Sequence, residues 1–145
     1  MDLVDQLAPK GFDCVCGNLR MATRAVTSIY DRHLRPLGLQ ASQLAVLWAV
    51  AGMPSCTVNQ IAKRIAIDET TLLRNLRVIE REGWVAIAVG ADKRQRIVHL
   101  TEPGRALFAQ ALPRWQQAQQ QVRSHLRSEL SDLNKQLIRL SRVAS

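Results

Sequence analysis

Aromatic residues make up only 4% of this 145-residue sequence, so any core has to be filled by Leu, Ile, Val and Ala, which the 47% hydrophobic fraction can supply. Three cysteines are an odd number and imply no disulfide scaffold, so a reducing cytoplasm is the expected compartment. Long apolar runs are missing: the longest, Leu44 to Ala51 and on through Met53, is too short to cross a bilayer. The start, Met1-Asp2-Leu3-Val4-Asp5, is acidic and lacks a signal-peptide apolar stretch, and no membrane partner is expected. His33, His99 and His125 are scattered, without a zinc-protease, Walker or nucleophile-elbow pattern. No catalytic residues are therefore assigned, and no enzyme is expected. Acids are scarce as well. Twelve Asp and Glu face 20 Lys and Arg, a formal charge of +8, and sixteen of those cations are Arg. That surplus points to a polyanion, and Arg suits forked contacts to phosphate and guanine.

What is present reads as a mainly α (α+β) chain with one small β element. A short lead-in over 1–12 precedes a long helix, with Asp13 a plausible N-cap and Pro36 and Gly38 as stops. Leu19, Ala22, Val26, Ile29, His33 and Leu37 recur along it at three- and four-residue steps. Ser42 can cap a second helix with Leu44, Leu47, Trp48 and Ala51 on its apolar face. Thr57-Val58-Asn59-Gln60 fits a capping box opening a third helix. Asp68 can cap a fourth, which buries Leu72, Leu76 and Ile79 and stops at Gly83. Trp84–Val89 and Ile97–Leu100 are β-prone around a basic tip, a hairpin. Thr101 caps a long helix in which Pro113 predicts a kink or break, and a last helix covers about Glu129–Val143.

Two short helices across a tight turn, followed at once by a hairpin, make a winged helix-turn-helix whose second helix enters the major groove. The polar side of that helix carries Thr70, Thr71, Arg74, Asn75 and Arg77: hydroxyls for phosphates, Arg and Asn for guanine and adenine edges. The hairpin tip, Asp92-Lys93-Arg94-Gln95-Arg96, is a basic finger able to reach phosphates or a narrow minor groove, with Asp92 able to hold Arg94 by a salt bridge. A solvated helix face and a solvated charged turn are the plain alternatives. A non-catalytic helical interaction adaptor is the competing function, but an adaptor has no need of an Arg-tipped hairpin beside such a helix.

The stretch from Gly38 to Gly104 resembles the MarR family of bacterial transcriptional regulators. The resemblance is carried by Leu39-Gln40-Ala41-Ser42-Gln43-Leu44, by Thr57-Val58-Asn59-Gln60-Ile61-Ala62 and by Asp68-Glu69-Thr70-Thr71-Leu72-Leu73-Arg74-Asn75-Leu76. The wing pattern, Asp92-Lys93-Arg94 closed by Leu100-Thr101-Glu102-Pro103-Gly104, is its most specific piece. By that resemblance Arg74 is the recognition-helix Arg, Thr70 and Thr71 are the hydroxyl positions, and Asp92 and Arg94 are the wing pair. Leu73 and Glu69 depart from the family, where Thr and a basic or neutral residue are common, and each removes a favourable DNA contact. The implied protein is a cytoplasmic, homodimeric repressor of double-stranded DNA at a palindromic operator. One domain spans 1–145, with a DNA-binding lobe over 40–104 and dimerisation helices over 13–37 and 105–145.

Leu126, Leu130, Leu133, Leu137 and Leu140 repeat at heptad-like steps, a seam for a partner helix or for packing within the chain. Family members dimerise through their first and last helices, and often bind small phenolic or aromatic acids between these and the DNA-binding lobe, so a small-molecule effector is implied. No cofactor is expected, with one exception. Cys14 and Cys16 are a candidate thiol sensor or site for a thiophilic metal or metalloid. In an extended segment they share a side, on a helix they diverge, and two thiolates need help from Cys56 or a partner subunit to close a tetrahedral site. Small residues at a helix start are the plain reading of the same pair.

Overall fold

Residues 2–4 and 13–143 are described in this computed structural model; the lead-in over 1–12 otherwise lies outside them. Cys14, not Asp13, caps the first helix, α1 (Val15–Leu34). Its extended backbone turns Sγ back to accept the Gly17 amide at 3.5 Å. The helix ends in a single 3-10 turn, Arg35–Leu37, and Gly38 takes a left-handed φ of 67° there. Helix α2 (Ala41–Gly52) is capped by Gln40 rather than Ser42: Gln43 Oε1 accepts the Gln40 amide at 2.9 Å. Asp31 of α1 adds a cap across the fold, Oδ1 accepting the Ala41 amide at 2.7 Å. A side chain ten residues upstream leaves no local signal, which is why sequence places this start two residues late.

Thr57 opens α3 (Val58–Ile65) with the expected capping box. Ala66 ends it in the left-handed region at φ 54°, and its amide reaches back to the carbonyls of Ala62 and Lys63. Asp68 then caps α4 (Glu69–Arg81), which buries Leu72, Leu76 and Ile79 completely. Each such side chain contributes about 1.5–3 kcal/mol. The hairpin is β2 (Val85–Val89) against β3 (Arg96–Leu100). A third strand, β1 (Cys56–Thr57), pairs with the far edge of β3 through Cys56↔Val98 and Thr57↔Ile97, giving the order β1-β3-β2. Two residues carry no periodicity, so sequence alone does not reveal this strand.

Helix α5 (Glu102–Ser124) runs through Pro113 without a break. Proline forfeits one helical hydrogen bond. Ala111 and Ala118 are fully buried on either side of it, and the helix lies along α1, which holds both halves in line. The two helices are tied by polar bridges: Tyr30 Oη donates to Gln119 Oε1, and His33 Nε2 meets Gln121 Oε1 at 2.8 Å. Leu126 lies beyond the end of α5, and the last helix, α6 (Leu130–Ser141), starts from Glu129. The core of Leu34, Leu39, Leu47, Ile61, Leu72, Leu76, Ile79 and Val98 sits inside the helix-turn-helix and against the sheet. None of the described helices is long and apolar enough to cross a membrane.

Candidate nucleic-acid interface

The wing is fastened at its base by residues that commit every polar group they have. Gly83 turns the chain out of α4 at φ 80°. Thr101 Oγ1 donates to the Gly83 carbonyl at 2.5 Å and accepts the Gly104 amide at 3.1 Å, while the Thr101 amide donates to Trp84 O at 3.1 Å. Gly104 is required by contact: a Cβ there would lie 1.8 Å from Trp84 O. The Leu-Thr-x-x-Gly segment is thus a clamp that sets the angle between hairpin and α5.

The tip is organised differently. Asp92 accepts the Arg94 amide at 3.0 Å through Oδ1, and its carbonyl accepts the Gln95 amide at 2.9 Å. Asp92 therefore shapes the turn through the backbone, and the expected Asp92–Arg94 salt bridge is not formed. Arg96 folds back as well, Nη1 donating to the carbonyls of Lys93 and Gln95 at 3.1 and 3.3 Å. Lys93 and Arg94 remain exposed, with no side-chain partner among the described residues.

On α4 the same division recurs. Thr71 is spent on the cap: its amide and its hydroxyl both donate to Asp68, at 2.9 and 2.6 Å. Those two bonds, the hydroxyl first, hold the Asp68 carboxyl below the usual carboxylate range. Asn75 is half-buried on the flank. Thr70, Arg74 and Arg77, spaced four and three apart, make the exposed outer face and have no partner within the described chain. Between α4 and the wing lies an open groove of about 700 Å³. Thr57 to Gln60 at the start of α3, Glu69 and Leu73 of α4, and Arg94, Gln95 and Arg96 line it. Asn59 Nδ2 donates to Glu69 Oε1 there at 2.6 Å. The structure thus joins wing and recognition helix along Glu69 and Leu73. Sequence reasoning left both outside the site because it weighed them only as lost contacts.

A second cavity, about 450 Å³ and largely apolar, lies where α1, α2, α3 and α5 meet. Its walls include Val26, Tyr30, Leu44, Trp48, Ile65 and Trp115, with Arg64 the cation at its edge. Trp48 stacks edge-on to Phe108 at 5.5 Å and tilts onto Trp115 at 4.9 Å, which fixes the aromatic wall. Burial raises the Tyr30 hydroxyl above its usual range, so it stays a neutral donor. No single stretch of sequence outlines this cavity, because four helices contribute.

Cys14 and Cys16 are both exposed, one at the cap and one in the first turn of α1. Cys56 is buried in β1, its Sγ directed to Val98 O at 3.8 Å, and burial raises its thiol pKa. It is therefore not available as a third ligand. Among the described residues no group of three His, Cys, Asp or Glu is placed to hold a metal. The leucine seam divides: Leu126, Leu130 and Leu133 are half-buried, while Leu137 and Leu140 are 38% and 44% exposed.

Comparison with known proteins gives consistent matches. A family model described as MarR family fits residues 37–95. The M. tuberculosis transcriptional regulator MosR, solved in complex with DNA, is 34% identical with a TM-score of 0.84, over 91% of this chain and 96% of that one. Bordetella bronchiseptica BpsR, whose DNA binding is regulated by 6-hydroxynicotinic acid, is 26% identical with a TM-score of 0.78, over 91% and 97%. The HTH-type transcriptional regulator YwoH of Bacillus subtilis is 23% identical over 122 residues, 84% of this chain and 89% of that protein.

Proposed function

The chain belongs to the MarR family of DNA-binding transcriptional regulators, and from that premise we propose that it is a homodimeric repressor of a palindromic operator, released by a small-molecule or thiol-directed signal. The observation that carries the DNA-reading part is the set of cationic and hydroxyl side chains left without partners among the described residues. Thr70, Arg74 and Arg77 form one exposed face, and Lys93 and Arg94 extend from a wing whose base is clamped at a set angle. A rigid scaffold holding uncommitted cations is what a phosphate backbone and base edges need. In this reading Arg74 and Arg77 meet base edges, Thr70 and Lys93 meet phosphates, and Arg94 enters the minor groove. Thr71, Asp92 and Arg96 act indirectly, as positioning residues. Asn75 sits at the margin.

Dimerisation is supported by α6, which buries none of its residues within the chain, and by α1, which buries only Leu34. Two amphipathic helices with open apolar faces fit an interface between copies. For the signal, the apolar cavity beside Trp48 and Trp115 suits a small aromatic acid, with Arg64 to meet its carboxylate. The exposed Cys14 and Cys16 suit a thiol-directed signal instead, through the cap of a helix that belongs to the same interface; a metal or metalloid there takes its remaining ligands from the partner subunit.

Selection of bound fragments from genomic DNA at low salt, with light scattering on the complexes, tests the reading. Enrichment of one imperfect palindrome holding two chains is expected. Binding no stronger than to competitor DNA, or a stable monomer at micromolar concentration with and without DNA, overturns it. Release by salicylate in a Cys14→Ser/Cys16→Ser variant assigns the signal to the cavity. Release by peroxide or arsenite that this variant abolishes assigns it to the thiols.

A further inference from the structure

Two apolar side chains of α4 stay exposed, Val78 at 39% and Leu73 at 37%, and only Leu73 lines the groove shared with the wing. A leucine there has no use for phosphate. Its neighbours reinforce the point. Glu69 stands one helical turn before it, and Glu80 two turns after, on the same strip of the helix. Asn59 holds the Glu69 carboxylate in place, directly beside the groove. An acid–leucine–acid strip is repelled by a sugar-phosphate backbone, and the adjoining face, with Arg74 and Arg77, offers base edges the donors that this strip lacks. When α4 lies in the major groove, the strip is thereby turned to the base edges. In unmodified DNA the apolar group on those edges is the 5-methyl of thymine.

We propose that Leu73 is a specificity-determining residue that reads one thymine in each half-site through its 5-methyl group. The inference rests on the DNA-reading role of α4 argued above and deepens it. Here Leu73 is a reader of a different kind from a hydroxyl residue: it asks for a methyl and gains nothing from a hydrogen-bonding edge. Glu69, pinned by Asn59, keeps the strip off the backbone and so positions the leucine.

Thymine-to-deoxyuridine scanning of the selected operator removes the methyl and leaves every hydrogen-bonding group in place. The wild-type protein is expected to bind about fourfold more weakly with deoxyuridine at one position of a half-site, the effect of one methyl left in water, and more than tenfold more weakly with both half-sites changed. Leu73→Ala is expected to bind the thymine and deoxyuridine duplexes alike while keeping the wild-type helical circular dichroism, since the side chain is not part of the fully buried core. A wild-type scan that is silent at every thymine overturns the inference and leaves DNA binding intact. So does full discrimination retained by Leu73→Ala. If no duplex is selected at all, the DNA-reading role fails first and takes this inference with it.

Discussion

Helices α4 and α6 are nearly the same length, 13 and 12 residues, and both space leucine and isoleucine at three- and four-residue steps. Their fates differ. Leu72, Leu76 and Ile79 of α4 are fully buried, while Leu137, Ile138 and Leu140 of α6 are 38%, 52% and 44% exposed. An amphipathic stripe states only that one face wants to leave water. Whether the chain itself supplies the cover depends on topology: α4 lies between α3 and the sheet, whereas among the described residues none of α6 is fully buried. The contrast teaches that the same pattern serves as core in one place and stays open to solvent in another, the face that the proposed dimer would cover.

The largest expected effect breaks the contrast at α6. Leu137→Asp places a charge where a second copy would pack, and in a two-fold interface the change counts twice. A loss of about 3–6 kcal/mol of dimerisation free energy is expected. Sedimentation equilibrium should convert a micromolar dimer to monomer, and operator affinity should fall with it. An unchanged dimer would mean that α6 finds its cover elsewhere.

The matched change in α4 comes next. Leu76→Ala leaves a cavity beneath the recognition helix and is expected to cost about 2–5 kcal/mol of unfolding free energy, read by urea denaturation. Leu137→Ala in α6 should leave the folding of a dissociated chain almost untouched. Similar losses from both substitutions, at concentrations too low for dimers, would erase the distinction between the two helices.

Much of this was legible in advance, and the failures are instructive. The caps at Thr57, Asp68 and Thr101, the stop at Gly83 and the winged order of elements all rest on neighbours within a few residues, so sequence displays them. The start of α2 depends on Asp31, ten residues away, and β1 depends on pairing with a strand some forty residues later; neither has a local signature. Which candidate site residues are already engaged within the chain was not legible, for a related reason. Residue type marks Thr71, Asp92 and Arg96 as DNA contacts as readily as Thr70, Lys93 and Arg94, but the first three are already engaged within the chain. Residue type also hides Leu73, since a leucine in place of a hydroxyl residue reads only as a lost contact until its exposure beside the groove is known.

A smaller effect separates the two cationic regions of the interface. Arg74→Ala is expected to lose about 1–3 kcal/mol of operator binding and to relax preference at one position. Arg94→Ala should weaken all sequences alike and flatten the salt dependence. Fluorescence anisotropy on operator and mismatched duplexes, across a salt series, measures both. Equal, sequence-independent losses would remove the base-reading role from Arg74.

The smallest effect lies in how the two helices begin. Asp68 caps α4 with two hydrogen bonds from Thr71, while the Glu129 side chain makes no capping bond to α6. Asp68→Ala should therefore lower the thermal midpoint measurably and Glu129→Ala should not. The pH dependence gives a sharper test, because the bonds from Thr71 depress the Asp68 pKa in the folded protein. A depressed folded pKa means that the stabilisation is fully present above the unfolded value of about 4 and is lost as pH falls through the lower folded value. Asparagine is an equally good cap that does not titrate in this range. The midpoint of wild type relative to Asp68→Asn should thus stay level from pH 7 down to about pH 5, then fall as the solution is acidified toward pH 3. Acid effects from other carboxylates cancel in the difference. A difference independent of pH would show that the Thr71 bonds do not distinguish the charged carboxylate from the neutral acid. The start of the recognition helix would then owe its order to packing, as α6 must.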